Sequence, residues 1–151
     1  MNPIKVTALL LLFFSLSFGM FAEAKDIPDL PLQYSVQKPD GEGSYPCVII
    51  CPGRGYHMDL PLIKGVADQA VQAGFIAMRF NWTFFSAGVD PSEDGSREFG
   101  NIEAMLALAK QTAGVDSSRI YIAGKSVGSL YGYAVFQEHK ELKGCLLLTP
   151  I

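Results

Sequence analysis

With 151 residues, 49% of them hydrophobic and 18% charged, the chain has the composition of one globular domain and not of a disordered tail. A net charge of −3 with no run of Lys or Arg excludes a surface built to follow a phosphate backbone, so no nucleic acid partner is expected.

The N-terminus reads as a targeting segment. Lys5 precedes the apolar run Val6 to Phe18, and Ala22-Glu23-Ala24 is a small-x-small site ahead of Lys25-Asp26. This pattern predicts a secretory signal over residues 1–24, removed after Ala24, leaving 25–151 as the mature chain in a secreted or periplasmic location. A membrane anchor is the alternative, but the run is shorter than the ~20 residues a span needs, so no stable membrane span is expected once the signal is removed. Cys47 and Cys51 fall on one predicted strand, about 13 Å apart at extended rise, where a disulfide needs Cα atoms within about 7 Å. With Cys145 in another apolar run, all three are expected as buried thiols, with no metal site.

Leu30, Leu32, Tyr34 and Val36 alternate with polar residues and Pro31, the period of an edge strand with one buried face. Turn formers fill Lys38 to Ser44, and Tyr45 to Cys51 is apolar on both faces, as in a central parallel strand. Pro52-Gly53-Arg54-Gly55-Tyr56 follows, a loop whose N–H groups can turn toward a ligand at the C-terminal end of the sheet; an ordinary turn is the plainer reading. Asp59 is the expected cap of a helix whose stripe is Leu62, Ile63, Val66, Ala67, Ala70 and Val71, stopped by Gly74. Phe75 to Phe80 is the next strand. A long connection, Asn81 to Ser96, leads to a helix marked by Ile102, Met105, Leu106 and Ala109 and ended by Gly114. Val115 to Arg119 leads into a central strand, Ile120 to Ala123. Val127 to Lys140 reads as a helix and Gly144 to Thr149 as a last buried strand.

Between the central strand and its helix stands Gly124-Lys125-Ser126-Val127-Gly128, a G-x-S-x-G pentapeptide. A serine on a tight strand-to-helix turn holds its hydroxyl clear of the backbone, and glycines two positions either side let strand and helix pack closely. Such a hydroxyl at a helix N-terminus is a candidate nucleophile, because nearby N–H groups favour developing negative charge. The strand and helix order predicts an α/β fold with a doubly wound, mostly parallel sheet.

The strand ending in Pro52-Gly53-Arg54-Gly55, the Arg79-Phe80-Asn81 strand end and the Gly124 to Gly128 elbow resemble the α/β-hydrolase superfamily, in particular its small branch related to dienelactone hydrolases. The likeness spans roughly Leu32 to Ile151 and corresponds to the N-terminal portion of that domain, a truncated form of the fold lacking the later strands. It implies Ser126 as nucleophile and the N–H of Val127 as first oxyanion donor. The second donor falls on the loop after the earlier central strand, at Arg54 with Gly55 as the other choice. It also implies an acid and then a histidine on later loops, past Pro150-Ile151, a small-molecule ester or acyl substrate, and no cofactor.

Of the two histidines, His57 lies in the loop of the expected oxyanion donors and is either a base or a rim histidine. His139, at the far end of the elbow helix and about 20 Å away at helical rise, is expected on the surface. Lys125 either raises the local potential or points to solvent. Arg79 either holds a substrate carboxylate or pairs with Asp90, Glu93 or Asp94. Asn81-Trp82-Thr83 fits a glycosylation acceptor in a eukaryotic source. Two functions follow as expectations: an exported serine hydrolase present as an incomplete chain, or a non-catalytic binding module whose open sheet edge takes a protein partner.

Overall fold

In the first central strand, β2 (Tyr45–Cys51), alternate residues feed two separate cores. Cys47, Ile49 and Cys51 point into one cluster of buried side chains, Val48 and Ile50 into another. A strand apolar on both sides needs helices on both. In the computed structural model, which describes residues 31–149, helix α1 (Pro61–Gln72) covers one face with Ile63 and Ala67. Helices α3 (Ser96–Gln111) and α4 (Val127–Glu138) cover the other with Ile102, Met105, Ala109 and Val135. The expected signal at residues 1–24 lies outside the described residues.

Strand β1 (Tyr34–Gln37) pairs antiparallel with β3 (Ile76–Phe80), and β2, β4 (Val115–Lys125) and β5 (Gly144–Leu148) run parallel to β3. The order β1-β3-β2-β4-β5 puts β1 at the edge, as expected, but its burial does not alternate: Tyr34 is 48% exposed, and Ser35 and Gln37 are partly buried by their bonds to Arg79 and Asp68. The register between β2 and β4 shifts between Tyr45, opposite Val115, and Cys47, opposite Ile120. The lead-in Val115 to Arg119 is therefore the irregular first part of β4, folded on itself by Asp116, which accepts from Ser118 and Arg119.

Two boundaries differ from the sequence reading. Helix α1 starts at Pro61, whose fixed φ suits the first helical position; Leu60 is the cap residue and makes no side-chain capping bond. Asp59 is drawn instead to Arg79. The connection after β3 holds a short helix, α2 (Thr83–Ala87), and α3 begins at Ser96. Helix α2 is hidden in the sequence because its start lacks a side-chain cap and leans on a distant group, whereas α3 begins where the long connection is expected to end. The Thr83 N–H and hydroxyl donate to Asn101 Oδ1 (2.9 and 3.1 Å), and buried Glu98 accepts from Ser92 N–H at 3.1 Å and from the Ser92 hydroxyl.

Beyond α1 no other described residue covers the face of β4 and β5. Leu62, Val66, Phe75, Tyr121 and Leu146 line an apolar groove of about 980 Å³. Leu146 and Leu147 of β5 are 55% and 38% exposed, so β5 is not the buried strand the sequence predicts: as the outermost parallel strand it has a neighbour on one side only among the described residues. No helix among the described residues is long and apolar enough to cross a membrane.

Candidate active site

The glycines of the pentapeptide are required by two close approaches. A Cβ on Gly124 would lie 2.3 Å from Gly128 O, and one on Gly128 would lie 2.3 Å from Cys51 O and 2.6 Å from Pro52 O. All are backbone atoms, so neither position admits a side chain without moving β2, β4 or α4. Between them Ser126 has φ 53° and ψ −121°, a left-handed conformation rare outside glycine and costing on the order of 1–3 kcal/mol. The bend is held by Ser126 N–H donating to Leu148 O (3.1 Å) and by Ser129, whose hydroxyl donates to Gly124 O (2.5 Å). Ser126 is the N-cap residue of α4 yet makes no side-chain capping bond. The residue is partly exposed, with its hydroxyl free of a capping bond at a helix N-terminus, where the local dipole favours negative charge.

The loop after β2 runs beside this bend. Tyr56 N–H closes a turn onto Gly53 O at 3.1 Å, and the N–H groups of Arg54 and Gly55 have no backbone partner among the described residues. The Arg54 side chain leaves the turn to meet Asp90 Oδ1 at 2.5 Å, an exposed pair of small worth. The single tryptophan, Trp82, reaches the same loop from the other side, its Nε1–H donating to Pro52 O at 2.8 Å. Sequence reasoning treated Trp82 only as the middle of Asn81-Trp82-Thr83. Asn81 in that tripeptide is buried, its Oδ1 accepting from Met58 N–H (2.8 Å) and its amide donating to Gln33 Oε1 (2.9 Å). It is a loop brace, not an open acceptor for a sugar.

The remaining candidates are engaged elsewhere. Lys125 does not point to open solvent: its Nζ stands 4.2 Å from the centre of the Tyr56 ring, a cation–π contact. Arg79 is buried with its Nη atoms on Met58 O (2.6 Å), Asp59 Oδ1 (3.0 Å) and Ser35 Oγ (3.3 Å). The acidic partner is therefore Asp59, not Asp90, Glu93 or Asp94, and Arg79 braces the loop before α1 against β1. His57 Nδ1 accepts from Asp59 N–H at 3.2 Å, and its ring lies 6.2 Å from that of Phe85. His139 is clamped between Glu103 (2.8 Å) and Glu141 (2.9 Å). The hydrogen bond to Glu141 leads the effects that raise its pKa.

All three cysteines are free. Burial pushes Cys47 up to about 12 and Cys51 higher still; Cys145 is only half-buried, a departure from the expected core position, and is also raised by desolvation. Among the described residues no group of three or more His, Cys, Asp or Glu is placed to hold a metal ion.

No protein-family profile matches the chain. It is 26% identical over 134 residues to the esterase EstD of Thermotoga maritima, covering 85% of this chain and 32% of EstD. Est1E of Butyrivibrio proteoclasticus, solved with ferulic acid bound, superposes with a TM-score of 0.66 at 25% identity, over 83% of this chain and 51% of that one. A candidate dienelactone hydrolase of Klebsiella pneumoniae gives 0.61 at 15% identity, over 76% and 52%. The chain thus spans about a third of the length of the curated relative and about half of the solved chains. With a five-stranded mostly parallel sheet, helices on both faces and these relatives, the chain has the fold of the α/β-hydrolase superfamily, to whose N-terminal portion, dienelactone hydrolase-like proteins included, it corresponds.

Proposed function

We propose that this chain carries the nucleophile of an exported serine hydrolase acting by acyl transfer on a small-molecule ester or related carbonyl compound. The observation that carries the reading is Ser126: a non-glycine residue at φ 53° whose hydroxyl caps nothing, in a bend whose flanking glycines leave no room for a Cβ. Backbone strain of this kind persists only where the surroundings impose it. Attack by Ser126 Oγ on a carbonyl carbon would place the oxyanion beside the N–H of Val127, with the turn at Arg54 and Gly55 as the second donor. Similarity to esterases supports hydrolysis as the class of reaction, and the N-terminal pattern of the sequence supports export.

His57 and His139 make their hydrogen bonds to Asp59, Glu103 and Glu141. Turnover by the 151 residues is therefore expected to be confined to what donors and binding supply, about 10³–10⁴-fold over water. An alkyl fluorophosphonate tests the nucleophile directly. Intact mass should show slow, single-site labelling of the folded chain, lost in Ser126→Ala. Labelling no faster than in urea, or unaltered in Ser126→Ala, would refute the assignment.

The β5 edge, unpaired among the described residues, and the groove beside α1 favour a second reading, a binding module that takes a protein partner over its exposed leucines. A stable monomer in size-exclusion chromatography without partner would count against it.

A further inference from the structure

Trp82 is the single tryptophan of the chain and is fully buried. Aromatic packing alone does not explain its type at that place, since Phe80, Phe84 and Tyr131 already surround it, with ring centres at 4.8, 6.0 and 5.9 Å. A phenylalanine would supply the same kind of contact. What only an indole supplies is the N–H, and it donates to Pro52 O at 2.8 Å in a buried setting.

Pro52 stands where the backbone of three segments converges. It is the residue that hands β2 over to the Gly53 to Tyr56 turn. The carbonyls of Cys51 and Pro52 are also the atoms against which Gly128, the last glycine of the elbow, packs without room for a Cβ. The next residue, Gly53, has no Cβ of its own to restrict its backbone, so the direction of the first peptide of the turn must be set from outside. Trp82 does this by its hydrogen bond. It reaches the elbow helix as well, because Tyr131 of α4 meets its ring edge-on. Its own backbone is anchored next door, where Thr83 is held by Asn101 of α3.

We propose that Trp82 is a positioning residue: its indole N–H orients the Pro52–Gly53 peptide and thereby aligns the N–H groups of the Arg54 and Gly55 turn with the bend at Ser126. This rests on the reading of Ser126 as nucleophile, with that turn as an oxyanion donor. Donors of this kind act by being fixed before the charge develops, so a turn free to rotate about Gly53 slows the reaction without altering how much probe is bound. Loss of a whole donor costs 10²–10³-fold; a misaligned one is expected to cost about tenfold.

Because there is one tryptophan, growth on β-(3-benzothienyl)alanine replaces it at one site, exchanging the ring N–H for sulfur and leaving the shape nearly unchanged. Two quantities are then compared with the native chain: fluorophosphonate labelling of Ser126 at saturating and sub-saturating probe, and hydrogen exchange of the backbone over residues 53–56. Ile102→Val, a change in the same core cluster that leaves the indole donor to Pro52 O in place, is the control for general loosening. The expected result is a labelling rate at saturation reduced about tenfold, an unchanged half-saturation concentration, and faster exchange over 53–56, with the control near native in both. Exchange over 53–56 equal to native, or labelling within twofold of it, would overturn the proposal. If the native chain itself does not label, the Ser126 reading falls, and the exchange result still decides whether the indole holds the turn.

Discussion

Substituting alanine for Gly128 adds one methyl group at a known place. Its carbon would lie 2.3 Å from Cys51 O, 2.6 Å from Pro52 O and 2.7 Å from Cys51 C, where a carbon–oxygen contact ordinarily settles at about 3.3 Å or more. The overlap of about 1 Å cannot be relieved by rotating a side chain, because every atom it meets is backbone of Cys51, the last residue of β2, or of Pro52 directly after it, and β2 is paired on both edges with β3 and β4. Overpacking of this sort costs about 1–3 kcal/mol, and the rigid surroundings favour the upper end. Alanine regains about 0.8–1 kcal/mol of helix propensity over glycine, leaving a net loss of about 2 kcal/mol. At roughly 4 °C per kcal/mol for a domain of this size, Tm should fall by about 8 °C, followed by circular dichroism. Gly65→Ala in α1 is the matched control: nothing lies within 4 Å of its added carbon, so only the propensity gain remains and Tm should rise by about 3 °C. A Gly128→Ala variant that melts at or above the native temperature would refute the close-packing account of the elbow.

Ser126→Gly removes a left-handed non-glycine residue (φ 53°) and should raise stability by about 1 kcal/mol in urea titrations, while abolishing phosphonate labelling; a less stable variant would show that the bend is unstrained. His139 faces Glu103 and Glu141, and Glu141 also takes Lys110 at 3.2 Å. Two acceptor-only carboxylates on the two ring nitrogens require both to carry hydrogen, hence an imidazolium. Its pKa is raised in the folded chain, so its stabilising effect is complete below the unfolded value near 6.5 and is lost as pH rises through the folded value. Glu141, lowered to about 2 by its bond to His139, contributes above its ordinary range and loses that only as pH falls toward 2. The deficit of His139→Gln relative to the native chain should therefore be largest near pH 5.5 and shrink by pH 8.5; an equal deficit at both would show that the clamp works by shape alone.

Much of this architecture can be read from local order in the chain. The two-sided apolar run of β2 and the buried positions Ile63 and Ala67 of α1 follow from side-chain period alone, whereas the alternation in β1 gave its place at the edge but not its burial. The need for Gly124 is local, its Cβ meeting Gly128 O within the same bend, whereas Gly128 is required by Cys51 and Pro52 of a distant segment. Tertiary structure decided which strands are neighbours, that β1 runs against β3, and where the charged groups went: Arg79 to Asp59 and Arg54 to Asp90. It also created α2, whose start is bonded to a residue 18 positions away, and the indole bond from Trp82 to Pro52, 30 positions back. The physical reason is one of range. Period and backbone sterics are encoded by residues a few positions apart, whereas the partner of a buried polar group is set by which distant segments the folded sheet brings within 3 Å of it.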